Sequence, residues 1–124
     1  MSPNKIIGIG CLMLSVSIAM GAMGAHGLEG TISQKYFNIW HTASLYFALN
    51  AIALMAFSPF ITSSNGMPMH LILTGSFIFS CALWLLALNE LITPGLKKLG
   101  AITPIGGAMM IIGWALLGIK QLRK

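Results

Sequence analysis

The side chains best able to do chemistry fall at the edges of apolar stretches: His26 and Glu29, His41, Asn89 and Glu90, and Thr103. A carboxylate beside imidazoles can exchange protons or coordinate a cation. Glu29 and Glu90 are the only 2 acidic residues, and His26 and His41 are two of the 3 histidines. The plainer reading places these groups at the lipid headgroups, because ionisable groups within a membrane, not those at its surface, mark function. His26 stands somewhat apart: Gly24 and Gly27 flank it, and a glycine-rich helix end brings an imidazole close to neighbouring backbone.

One polar side chain lies deeper, Asn50, on a helical face with Ala43, Tyr46, Ala53 and Phe57 and about 180° from His41. A carboxamide in hydrocarbon finds a partner across helices, for about 0.6–2 kcal/mol. Ser76, Ser80 and Trp84 recur at helical spacing and are the expected source of that partner. Such glue is favoured over a substrate ligand.

The 9 methionines, with 2 cysteines, invite a Cu(I) reading, since soft sulfur ligands select that ion. Met20 and Met23, just before His26, are its only local support, and the other methionines read as adaptable packing. A haem on His26 or His41 has no more behind it. No metal and no cofactor is therefore expected. Cys11 and Cys81 lie in apolar stretches and read as small hydrophobes rather than a disulfide pair.

These residues are positioned by elements that the charges delimit. No Asp, Glu, Lys or Arg occurs between Lys35 and Glu90, or within residues 6–28 and 99–119. With 56% hydrophobic and 7% charged residues, the chain departs far from a soluble domain, in which about a quarter of residues are charged. A crossing takes about 20 apolar residues. The sequence thus predicts an all-α, integral membrane four-helix bundle in one domain, with spans at about 6–25, 39–58, 70–92 and 103–121 and lipid as its main partner. The net charge of +5 is spread over loops and termini without a basic stripe, so no nucleic acid partner is expected. The apolar run after Lys5 is longer than the ~7–15 residues of a signal-peptide core and reads as the first span.

Gly27 is expected to close the first helix. Ser17, Gly21 and Ala25 recur every four residues, a spacing that lets another helix approach and suits a homo-oligomer. Leu28, Ile32, Tyr36 and Ile39 alternate with polar residues and predict a short interfacial amphipathic helical segment before the second span. Thr31 and Gln34 fit a capping box that starts this helix at Ile32. Pro59 stops the second span and Thr93-Pro94-Gly95 the third. Thr103 before Pro104 is the expected N-cap of the fourth. Up-down topology gathers His26, His41, Glu90 and Thr103 at one face. Lys5, Lys120, Arg123 and Lys124 lie opposite Lys35, Lys97 and Lys98, which places the termini in the cytoplasm.

Gly21-Ala22-Met23-Gly24-Ala25-His26-Gly27-Leu28 and Leu99 to Gly107, with Pro104, Gly106 and Gly107 and then Gly113-Trp114, resemble the small bacterial inner-membrane proteins grouped as domain of unknown function 423. The likeness runs along nearly the whole chain and includes Trp40, Ala43, Tyr46 and Phe79-Ser80. It implies a four-helix membrane protein without an established activity. Relatives often carry Gln and His where this chain has Phe47 and Asn50, and a Gly-Ser-x-Tyr pattern where it has Cys81, Ala82 and Trp84. Chemistry centred on the bundle middle is thereby disfavoured.

Three functions remain. A non-enzymatic structural or accessory membrane protein leads, because no reactive constellation is present. A small-solute or ion conduit from the polar face toward Asn50 is the alternative. It is not a small multidrug exporter, which it matches only in length: the first helix holds no coupling carboxylate. An intramembrane enzyme comes third.

Overall fold

A computed structural model describes residues 1–124. Its four long helices are α1 (Pro3–Met23), α2 (Gln34–Phe57), α3 (Gly66–Ala87) and α4 (Thr103–Leu122). With their flanking turns, all four are long and apolar enough to cross a membrane. Ser2 caps α1, its hydroxyl accepting from the Lys5 N–H at 3.3 Å, and Pro3 takes the first turn, where a missing N–H costs nothing.

Helix ends differ from the sequence expectations where long-range partners or side-chain bonds intervene. Gly27 does not close α1 in a left-handed conformation: the helix widens into a π-turn over Gly24–Leu28, and Gly30, at φ 83°, makes the reversal. The Thr31/Gln34 capping box does not form. Thr31 donates to the Leu28 carbonyl at 2.8 Å, Gln34 bonds Asn38, and α2 opens at Gln34 with Ser33 as N-cap. Only the second half of the amphipathic stretch, from Gln34, belongs to α2; Leu28 ends the π-turn and Ile32 lies in the link, and both are buried, as is Trp40. Helix α3 ends at Ala87, short of Ile92, because the buried Asn89 side chain turns back to the Leu86 carbonyl at 2.7 Å and Leu91 and Ile92 bond Leu88. Ile102, not Thr103, caps α4: the Thr103 hydroxyl donates backward to the Leu99 carbonyl at 3.1 Å. A tight 3-10 segment, Pro94–Ala101, joins α3 to α4 with none of its residues buried.

Packing proceeds from neighbour to neighbour, α1 on α2, α2 on α3 and α3 on α4. The inner position of α3 shows in its burial: half of its most apolar window is covered, against 22% for the first and fourth spans. Glycine sets two of the three contacts. A Cβ on Gly106 would stand 2.6 Å from the Phe79 nitrogen and 2.8 Å from the Gly75 oxygen, so α3 and α4 touch backbone to backbone. At Gly24 it would meet the Trp40 ring at 2.7 Å, and the indole N–H there donates to the Met20 carbonyl at 2.7 Å, joining α1 to α2. Between α2 and α3, Ser80 donates to the Ala43 carbonyl at 3.0 Å and Trp84 to the Ser44 hydroxyl at 3.1 Å.

Candidate functional site

At the end face, the start of α2 meets the end of α3. One Glu90 carboxylate oxygen accepts from the Ser33 hydroxyl at 2.7 Å and from the Ser33 N–H at 3.1 Å. The N-cap of α2 is thus satisfied from the far end of another helix, where a negative charge also suits the positive end of the helix dipole. Both bonds favour the ionised carboxylate, as does Lys97 to a smaller extent, and together they hold Glu90 below its ordinary pKa.

The histidines do not join Glu90. His26 and His41 are exposed, with His41 edge-on to Phe37 at 4.7 Å between ring centroids. No three His, Cys, Asp or Glu side chains gather closely enough to hold a metal ion. Thr103 spends its hydroxyl on the helix backbone, and none of the three main cavities is lined by His26, His41, Glu90 or Thr103. A conduit from this face to Asn50 finds no support.

Asn50 lies elsewhere and is fully engaged. Its side-chain NH2 donates to the Tyr46 carbonyl at 2.8 Å and lies 3.2 Å from the Met110 sulfur, and its side-chain oxygen accepts from the Trp114 indole N–H at 2.8 Å. The partner is on α4, not among Ser76, Ser80 and Trp84 of α3. Ser76 bonds its own helix at Ile72, while Ser80 and Trp84 bond α2 one to two turns before Asn50. The Asn50–Trp114 bond straps α2 to α4 across α3.

Under that strap opens a cavity of about 590 Å³. Tyr46, Leu49, Asn50 and Ala53 form its α2 wall, Phe79 its α3 base, and Gly107, Met110, Ile111 and Trp114 its α4 wall. Its mouth faces sideways, since Leu49 and Ile111 are exposed. A second cavity, about 290 Å³, lies between α1 and α3 and is lined only by apolar residues, among them Phe47, Phe77 and Cys81.

The expected packing glycines divide. Gly24 and Gly106 are in close contact, Gly107 borders the larger cavity, and a Cβ at Gly21 or Gly27 would meet nothing within 4 Å. Of the spaced trio Ser17, Gly21 and Ala25, only Ser17 is buried. Sequence reasoning did not reach Trp114, Met110 or Phe79 as cavity residues. The Gly113-Trp114 pair was a signal, but the spacing along α4 does not say which helix the indole meets.

Four apolar spanning helices with a sideways-opening cavity define an all-α integral membrane protein. The family described as "Protein of unknown function (DUF423)" matches residues 20–107. A UPF0382 membrane protein of Staphylococcus epidermidis is 37% identical over 119 residues, 93% of either chain, and one of Staphylococcus haemolyticus is 38% identical over 121 residues, 95% of this chain and 93% of that one. The UPF0382 membrane protein YwdK of Bacillus subtilis is 31% identical over 120 residues, 93% of this chain and 94% of its own. No solved structure matches. The chain belongs to the DUF423 family, membrane proteins whose biochemical function is unknown.

Proposed function

We propose that this chain is a non-catalytic accessory protein of the bacterial inner membrane that works by associating with other membrane helices, copies of itself first. The observation that supports this reading is the open small-residue face of α1. Gly8 leaves no heavy atom within 4 Å of an added Cβ, and Ser15, Ala19 and Ala22, which helical spacing puts on the same side of α1, are exposed with it. In lipid, association rests on close packing rather than on expulsion of water, and small residues permit the approach. Acid–base catalysis needs groups within hydrogen-bond reach of one another. Here Glu90 is engaged by Ser33 and Asn50 by Trp114, while His26 and His41 stand apart on the surface. Four Lys/Arg on the terminal side against three on the other favour cytoplasmic termini.

Mass analysis of the protein eluting from a sizing column in mild detergent tests the association. A dimer or larger species that Ala19→Leu converts to monomer is the expected result; a strictly monomeric wild type at every concentration counts against it. A fluorescent protein fused after Lys124 reports the terminal side, bright when cytoplasmic and dark when exported unfolded.

A further inference from the structure

The cavity between α2 and α4 has the make-up of a ligand site. Its volume of about 590 Å³ falls within the roughly 300–1,000 Å³ of small-molecule sites, which pair apolar walls with a few polar groups. Three aromatic side chains line it, Tyr46, Phe79 and Trp114, with Tyr46 edge-on to Phe79 at 5.6 Å between centroids. No Lys, Arg, His, Asp or Glu lines it. A charged occupant would give up its hydration in hydrocarbon and meet no counter-charge, so the lining selects a neutral one.

The polar inventory narrows the class further. Asn50 and the Trp114 N–H are spent on each other and on Tyr46 and Met110. The Tyr46 hydroxyl is left. It makes no hydrogen bond within the chain, and its residue is 45% exposed. Tyr46 lies eleven residues beyond Lys35 on the same helix, about 16 Å along its axis and therefore near the middle of a ~30 Å hydrocarbon layer. No water is at hand there, so the phenol needs an acceptor that itself dissolves in lipid. The α1–α3 cavity offers a contrast within the same molecule: wholly apolar, it suits an acyl chain, which has no use for a donor.

We propose that the α2–α4 cavity binds a quinone-class lipid, a neutral flat ring packed against Phe79 and Trp114, with one ring carbonyl accepting from the Tyr46 hydroxyl. The ring enters sideways from the bilayer past Leu49 and Ile111, and its tail stays in lipid. This goes beyond the accessory role above and does not depend on self-association.

The test uses the full chain in phosphatidylcholine nanodiscs with 2-methyl-1,4-naphthoquinone as probe, read by quenching of tryptophan emission. Saturable quenching is expected, smaller in amplitude in Trp114→Phe. Tyr46→Phe weakens binding about fivefold, the worth of one ordinary hydrogen bond. Gly107→Leu, which puts a side chain into the cavity beside Phe79, abolishes the saturable component. If Gly107→Leu does not fold, Ile111→Trp at the mouth serves in its place. Quenching that rises linearly without saturation, or a saturable component unchanged in the cavity-filling variant, overturns the proposal. So does displacement of the probe by methyl oleate as effective as that by a short-tailed benzoquinone, which would make the cavity a groove for any lipid tail.

Discussion

Replacing Gly106 with alanine measures what the backbone contact between α3 and α4 is worth. The new Cβ would stand 2.6 Å from the Phe79 nitrogen, 2.8 Å from the Gly75 oxygen and 3.0 Å from the Phe79 Cα, all main-chain atoms with no rotamer to yield. Moving the shortest of these out to the 3.4 Å of ordinary contact opens the crossing by about 0.8 Å. A radial gap of ~0.5–1 Å forfeits a quarter to a half of each dispersion contact, and overpacking of this kind costs about 1–3 kcal/mol. Alanine returns ~0.5–1 kcal/mol through its better helix propensity, so a net loss centred on ~1 kcal/mol and no larger than ~2.5 kcal/mol is expected. Gly21→Ala is the control: its Cβ meets nothing, and it should be neutral or gain a few tenths to ~1 kcal/mol. Both are read by unfolding in mixed dodecyl maltoside and SDS micelles, followed by tryptophan emission. If Gly106→Ala unfolds at the wild-type SDS fraction or later, or Gly21→Ala loses as much, the close-contact reasoning is refuted.

Three other perturbations follow from the same geometry. Gly24→Ala places a Cβ 2.7 Å from the Trp40 ring, so the indole must swing and release the Met20 carbonyl; a loss of about 1–3 kcal/mol and a changed near-UV tryptophan dichroism are expected, and an unchanged spectrum would contradict the contact. Asn50→Leu leaves the Trp114 N–H without its acceptor and should cost about 0.6–2 kcal/mol in the same SDS titration, whereas wild-type stability would show that the strap holds nothing. The Glu90 carboxyl is held below its ordinary 4.5, so its bonds to Ser33 contribute stability above that pH and lose it as pH falls through the lowered folded value. The wild-type melting midpoint should therefore drop on acidification below 4.5, while Glu90→Gln starts lower at neutral pH and changes less; parallel curves would count against the cap.

The spans were legible because lipid demands the same thing of every residue in a stretch, and the charges at Lys35, Glu90, Lys97 and Lys98 mark where that demand ends. What escaped depends on how helices face one another. Asn50 announces that a carboxamide needs a partner, but Ser76, Ser80, Trp84 and Trp114 all sit on apolar helices, and only the relative heights and rotations of those helices select the indole. Thr31 and Gln34 satisfy a local capping rule that cannot register the competitor Glu90, which bonds Ser33 from 57 residues away. The four-residue spacing through Ser17, Gly21 and Ala25 does not by itself say which side of α1 meets α2. The buried line of α1 instead runs at seven-residue spacing through Gly10, Ser17 and Gly24, with Gly21 to its side, so Gly24 rather than Gly21 takes the indole.

Neighbour-to-neighbour packing gives the molecule an order in time as well as in space. As the chain is synthesised, each new helix enters a bilayer in which the surface it packs on is already present, so little has to be undone or rearranged. Two bonds have to wait. Ser33 gains Glu90 only after a further 57 residues, and the Asn50 amide meets the Trp114 indole only after 64. The last helix is therefore the clasp on the assembly: until it arrives the α2–α4 cavity has one wall, and its arrival completes the fold and the cavity together.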